Sequence, residues 1–140
     1  MTNRTQIFAR QYSSGRPFVT IRIAIVNPNT YQRTAFDQKC WVDTGFDGGV
    51  HVPEFRRSEA TMVGVQPILT TVTLAGGLRR PGYVCLAFLQ QIEDYEIPSP
   101  GLEMELLMQG DQRWGLIGLE ILRNWIAEFD GPREILSVYE

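Results

Sequence analysis

Cys40-Trp41-Val42-Asp43-Thr44-Gly45-Phe46-Asp47-Gly48-Gly49 places a carboxylate directly after three bulky residues and follows it with three glycines. A stretch of this kind ends a strand and delivers Asp43 to a tight loop. Thr44 offers a hydroxyl that can fix the loop, and Gly45 admits backbone angles or close contacts that a side chain would forbid. Taken alone, Asp-Thr-Gly also describes a strand with an ordinary turn after it, so the flanking sequence decides how it is read.

Upstream, Phe18 to Val26 is rich in β-branched residues with Arg22 among them, which predicts a strand with one solvated face. Asn27-Pro28-Asn29 turns the chain, and strands are expected over about Thr30–Phe36 and Lys39–Asp43. Downstream, Val50–Val52 is a short strand closed by Pro53. Ile68–Leu74 and Tyr83–Leu89 read as a hairpin whose tip carries Gly76 and Gly77. Ile97-Pro98-Ser99-Pro100-Gly101 is a turn or surface loop, and strand character resumes over Leu102–Met108. After Trp114-Gly115-Leu116-Ile117-Gly118, the apolar residues Leu119, Leu122 and Ile126 recur at helical spacing. Glu134–Tyr139 then reads as a last strand. Residues 1–17 are polar and end in Ser13-Ser14-Gly15-Arg16-Pro17, so they are expected to form a frayed arm, with one domain over 18–140. The fold class expected is mainly β, a small barrel or sandwich with one C-terminal helix.

Bulk properties narrow the function classes. The 140 residues suit a single domain, and a net charge of -3 with 21% charged residues supplies neither a nucleic-acid footprint nor a polybasic membrane anchor. The longest apolar run, Tyr83–Leu89, is far too short to span a bilayer, and no apolar core of signal-peptide length is seen near the N-terminus; a cytoplasmic protein is expected. Cys40 and Cys85 form no metal or redox spacing and read as free thiols. Asp43, Asp47 and His51 stand at intervals of four, but the intervening glycines argue against a helix that would gather them, so no metal is expected. Gly-x-Ser-x-Gly is absent, a Cys40–His51 nucleophile pair is outweighed by ordinary strand packing, and Gly76-Gly77 lacks the lysine that completes a phosphate loop. No cofactor is expected.

In combination, Val42–Pro53 (VDTGFDGGVHVP), the glycine-tipped hairpin and Gly115–Gly131 (GLIGLEILRNWIAEFDG) resemble the retropepsin-like aspartic proteases, the family of the retroviral proteases and their single-domain cellular relatives. The resemblance covers roughly Phe18 to Val138. It implies a closed β-barrel of the acid-protease type, with Asp43 as catalytic aspartate, Thr44 bonding across to a partner loop and Gly45 against the substrate backbone. It further implies that Asp47 binds substrate main chain, that Gly76 and Gly77 tip a flap over the cleft, and that Gly118 packs beneath the Asp43 loop. Phe46, Val50 and Ile117 are apolar candidates for lining side-chain pockets. Phe46 stands where retroviral members usually carry alanine, and the hairpin carries Arg79, Arg80 and Pro81, so substrate preference does not transfer.

Hydrolysis by this route needs two carboxyl groups at one water, one to take its proton and one to protonate the carbonyl oxygen. The sequence holds a single Asp-Thr-Gly, and neither Asp47-Gly48-Gly49 nor Asp130-Gly131-Pro132 repeats its strand-loop setting. The second carboxylate is then expected from Asp43 of another chain across a two-fold axis, in a homodimer acting on peptide or protein substrates. The other class left open keeps the fold without the chemistry: a peptide-binding or dimerisation module.

Overall fold

The computed structural model describes residues 4–13 and 15–140. The chain folds as a mainly β structure around a closed six-stranded barrel. In β2 (Phe18–Val26) the alternate residues Val19, Ile21, Ile23 and Ile25 are fully or almost fully buried, while Arg22 faces out and pairs with Asp37 of β3 (Arg33–Val42) at 3.0 Å. The period of two thus fixes which face is core. The chain then adds β4 (Val50–Val52), β5 (Ile68–Thr73), β6 (Arg79–Ile92), β7 (Tyr95–Glu96), β8 (Leu102–Met108) and β9 (Gly115–Ile117). The order β2-β3-β9-β4-β8-β6 closes on itself because β2 pairs with β6 as well as with β3. Its interior holds Ile21, Ile23, Leu89, Met104, Leu106, Met108 and Ile117. β5 extends from β6 outside the closed ring, and β7 pairs with the end of β6.

Several expectations are corrected. The two strands expected between Thr30 and Asp43 are one continuous β3; its polar residues Asp37 and Lys39 lie on the outward face and do not interrupt it. The helix expected through Ile126 is a single turn, α2 (Leu119–Leu122), because Asn124 donates its side-chain amide to the carbonyls of Ile121 (2.9 Å) and Glu120 (3.2 Å) and ends it. Ile126–Asp130 is then strand β10, paired with β11 (Ile135–Tyr139), so tertiary pairing overrides the helical spacing. A further short helix, α1 (Arg57–Met62), which the sequence reading did not anticipate, follows a turn of 3-10 helix and buries Ala60. The ion pairs Arg56–Glu59 and Glu54–Arg57 tie that turn to α1.

The frayed arm is corrected too, residues 1–3 and 14 lying outside the described residues. Gln6–Gln11 forms β1, which pairs with β11, and the sheet order β1-β11-β10 puts β11 at its centre. Phe8 and Tyr12 are buried, and Phe8 joins Leu136 and Val138 in the one core. Only Ile7, Phe8 and Ala9 are apolar in β1, so its order comes from a partner strand at the far end of the chain. No helix among the described residues is long and apolar enough to cross a membrane.

Candidate functional site

β3 and β4 flank β9, the first parallel and the second antiparallel to it, so residues 43–49 must cross over the C-terminal end of β9 to connect them. This topology is what presents Asp43. Its backbone N–H donates to the carbonyl of Ile117 (2.9 Å), continuing the β3–β9 ladder, and its Oδ1 accepts from the N–H of Gly45 (2.9 Å). A Cβ on Gly45 would sit 3.2 Å from that oxygen, so the glycine lets the loop close tightly around the carboxylate. Asp43 is half-buried, while Thr44, Gly45 and Asp47 are exposed.

The loop is clamped from below by the chain that leaves β9. Gly118 N–H donates to Gly49 O (2.8 Å), Leu119 N–H to Phe46 O (2.9 Å) and Glu120 N–H to Gly48 O (3.2 Å). A Cβ at Gly118 would collide with the carbonyl oxygens of Phe46 and Gly48 and with the Phe46 ring. The Phe46 ring also covers Gly48, where an added Cβ would lie 2.7 Å from Cζ. Phe46 therefore braces its own loop. Gly76 and Gly77 sit at the exposed tip of the β5–β6 hairpin, both at positive φ (85° and 81°).

Ile117 and Val50 are corrected as pocket-lining residues: both are fully buried inside the barrel. The alternation along β9 and β4 turns their neighbours outward, and Trp41, Leu116 and His51 stand directly opposite one another across β3, β9 and β4. The same register continues through Leu107, Val84 and Ile68 toward the hairpin. Trp114 stacks on Trp41 with centroids 4.3 Å apart, and Phe18 meets Trp114 edge-on at 4.9 Å. Trp41, Trp114, Leu116 and His51, with Arg16, Gln112 and Arg113, line a groove of about 400 Å³. Trp41 lies two residues before Asp43 on β3. Counting back by two from Asp43 reaches Trp41, and Leu116, the immediate neighbour of the inward-facing Ile117, faces the other way. A polar groove of about 480 Å³ around Arg22, Arg33, Thr34, Asp37 and Gln90 shares no residue with this one.

His51 is 7% exposed. Its Nε2 lies 3.0 Å from the carbonyl of Gln109, which can only accept, so Nε2 carries the hydrogen. Burial pushes His51 below its ordinary value of 6.5, against a smaller opposite pull from the bonds to Gln109. The folded state then binds fewer protons than the unfolded one as pH falls below about 6.5, and stability drops across that window until the lowered folded value is passed. Urea unfolding between pH 7 and 5 is expected to show a steeper loss of stability for the wild type than for His51→Gln; equal slopes would remove His51 as the cause. Cys40 and Cys85 are both free; burial raises the Cys40 thiol strongly and pushes Cys85 up to about 11, so neither is an activated nucleophile.

No protein-family model, curated protein or solved structure matches the chain.

Proposed function

We propose that the chain is a retropepsin-like aspartic endopeptidase, active as a homodimer in which Asp43 of each copy faces the other across a two-fold axis. The observation that carries this reading is the Asp43 loop itself. A carboxylate stands at the end of a barrel strand, bonded to Gly45 N–H, on a loop fastened by three backbone bonds from residues 118–120. A loop built this way holds its carboxylate in place and leaves Thr44 and Gly45 exposed for a partner and a substrate.

In the assembled pair two carboxyls about 3 Å apart cannot both ionise, the behaviour for which aspartic-protease dyads are the standing example. The ionised one takes a proton from water as the oxygen attacks the peptide carbonyl; the protonated one donates to the carbonyl oxygen. Collapse of the tetrahedral intermediate returns a proton to the leaving nitrogen. The substrate lies extended, its main chain held by the loop after Gly45, with Asp47 beside it, and by the β5–β6 hairpin acting as a flap with Gly76 and Gly77 at its tip. Because β11 has a neighbour from its own chain on both sides, the two-fold contact falls to other surfaces. Leu119, exposed and bonded through its N–H to the carbonyl of Phe46 in the loop, offers one apolar contact.

A shared site obeys mass action. Specific activity per chain is expected to fall on dilution through the dissociation constant of the dimer, in step with the sedimenting mass. Constant activity from a species with the mass of one chain would overturn the shared dyad. A dimer that binds peptides and cuts none would leave a peptide-binding module.

A further inference from the structure

We propose that the outer face of the barrel, where β2, β3 and β6 meet, carries a binding site for a small phosphate monoester, separate from the Asp43 loop and independent of the endopeptidase reading. The strands build a walled hollow there. Ala24 stands between the inward-facing Ile23 and Ile25, so its side chain points outward, yet it is 1% exposed. An outward alanine is hidden only where longer neighbours stand around it. It pairs with Ala35 on β3 and with Phe88 on β6, and the two alanines side by side make a low floor. Arg22 lies two residues from Ala24 on the same face of β2, and Arg33 two residues from Ala35 on the same face of β3. From the third side comes a β-bulge. The β2–β6 ladder passes from Arg22 opposite Gln91 to Ile23 opposite Leu89, which leaves Gln90 as the extra residue. Bulges re-aim a side chain, and Gln90 lines the hollow.

The hollow has two compartments. About 480 Å³ on the side of Thr34 and Asp37 adjoins about 390 Å³ on the side of Pro98, Ser99 and Pro100, and Arg22, Arg33 and Gln90 line both. The outer wall is tied down, because Ile97 N–H donates to the Gln90 carbonyl (3.0 Å). Arg33 opens the strand whose other end leads to Asp43, about 30 Å away along ten residues of strand. A ligand held here is therefore out of reach of the Asp43 loop.

The donors point to the class of ligand. Arg22 is oriented by the bond from its Nε to Asp37 Oδ1 (3.0 Å), which leaves its terminal nitrogens to bind elsewhere. Arg33 forms no ion pair among the described residues. Two guanidinium groups, the Gln90 amide and the Thr34 hydroxyl bring donors from three strands. A planar carboxylate is satisfied by one arginine fork, whereas a tetrahedral phosphate presents three oxygens in different directions. Its charge of about -1.5 to -2 at neutral pH also outweighs the repulsion from Asp37, which a singly charged acid does not. The second compartment takes the organic part, with Glu96 at its edge as acceptor for a hydroxyl.

The test titrates glycerol 3-phosphate, inorganic phosphate and acetate into the full chain by calorimetry. Glycerol 3-phosphate is expected to bind saturably, more tightly than inorganic phosphate and at least about tenfold more tightly than acetate. Arg33→Gln, at an exposed position, is expected to weaken it about tenfold. Asp37→Asn removes the carboxylate beside the anion and is expected to tighten binding about threefold, a gain that a damaged fold cannot produce. Absence of saturable binding of glycerol 3-phosphate, acetate binding as tightly, or both variants binding like the wild type overturns the proposal. Cosedimentation with phosphatidic acid vesicles separates the sources of the phosphate: capture of vesicles by a chain that binds none of the free ester overturns it as well.

Discussion

Asp43→Asn is expected to lower the rate of peptide cleavage by about 10²- to 10⁴-fold, the usual worth of a positioned acid–base group, while leaving the fold unchanged. The substitution keeps the shape of the side chain, and the amide oxygen of asparagine can still accept from Gly45 N–H, the bond that closes the loop. What it removes is the ability to ionise or to carry an acidic proton, so in the shared site both carboxyls vanish together. Cleavage assays and thermal melts on the same samples check both halves. A variant that melts like the wild type and cuts as fast would take the chemistry away from Asp43.

Gly118→Ala is expected to be the most damaging single-methyl change near the site, costing about 3 kcal/mol, the upper end for overpacking. The added Cβ would meet two carbonyl oxygens, of Phe46 and Gly48, that are themselves fixed by bonds to Leu119 and Glu120 N–H, so neither can give way alone. For a domain of this size the loss corresponds to a fall in Tm of about 10 °C. Because the same strands carry Asp43, cleavage should fall more than the melting point alone explains. Gly131→Ala, where an added Cβ meets nothing within 4 Å, is the control and should barely move Tm. If the two variants melt alike, the clamp beneath the loop is not as close as its geometry indicates.

The parts of the fold that were legible in sequence are those where local pattern and tertiary demand agree. β2 is rich in β-branched residues with Arg22 on its solvated face, β4 is closed by Pro53, and β8 runs from Leu102 to Met108 as its pattern predicts. The rest was hidden for specific reasons. β1 has too little apolar character to announce itself and is ordered by β11. Ile126 keeps helical register with Leu119 and Leu122 yet belongs to a strand, because Asn124 ends the helix and β11 offers a ladder. α1 is short and buries little of its length.

At the site, the family resemblance marked the Asp-Thr-Gly loop and the glycine beneath it, and the close approach of backbone to backbone at Gly118 is the physical reason a glycine stands there. The groove could not. A run such as Gly115-Leu116-Ile117 does not say which residue faces inward until the barrel closes, and Ile117 rather than Leu116 is the one the core takes.

The most direct test of the shared dyad mixes wild-type chains with a rising excess of Asp43→Asn chains at constant total concentration and measures cleavage per wild-type chain. If one water is activated by Asp43 from two copies, mixed pairs are dead and activity per wild-type chain falls in proportion to the wild-type fraction. Activity per wild-type chain that stays constant however much variant is added would mean that each Asp43 acts without the other, and would contradict the account.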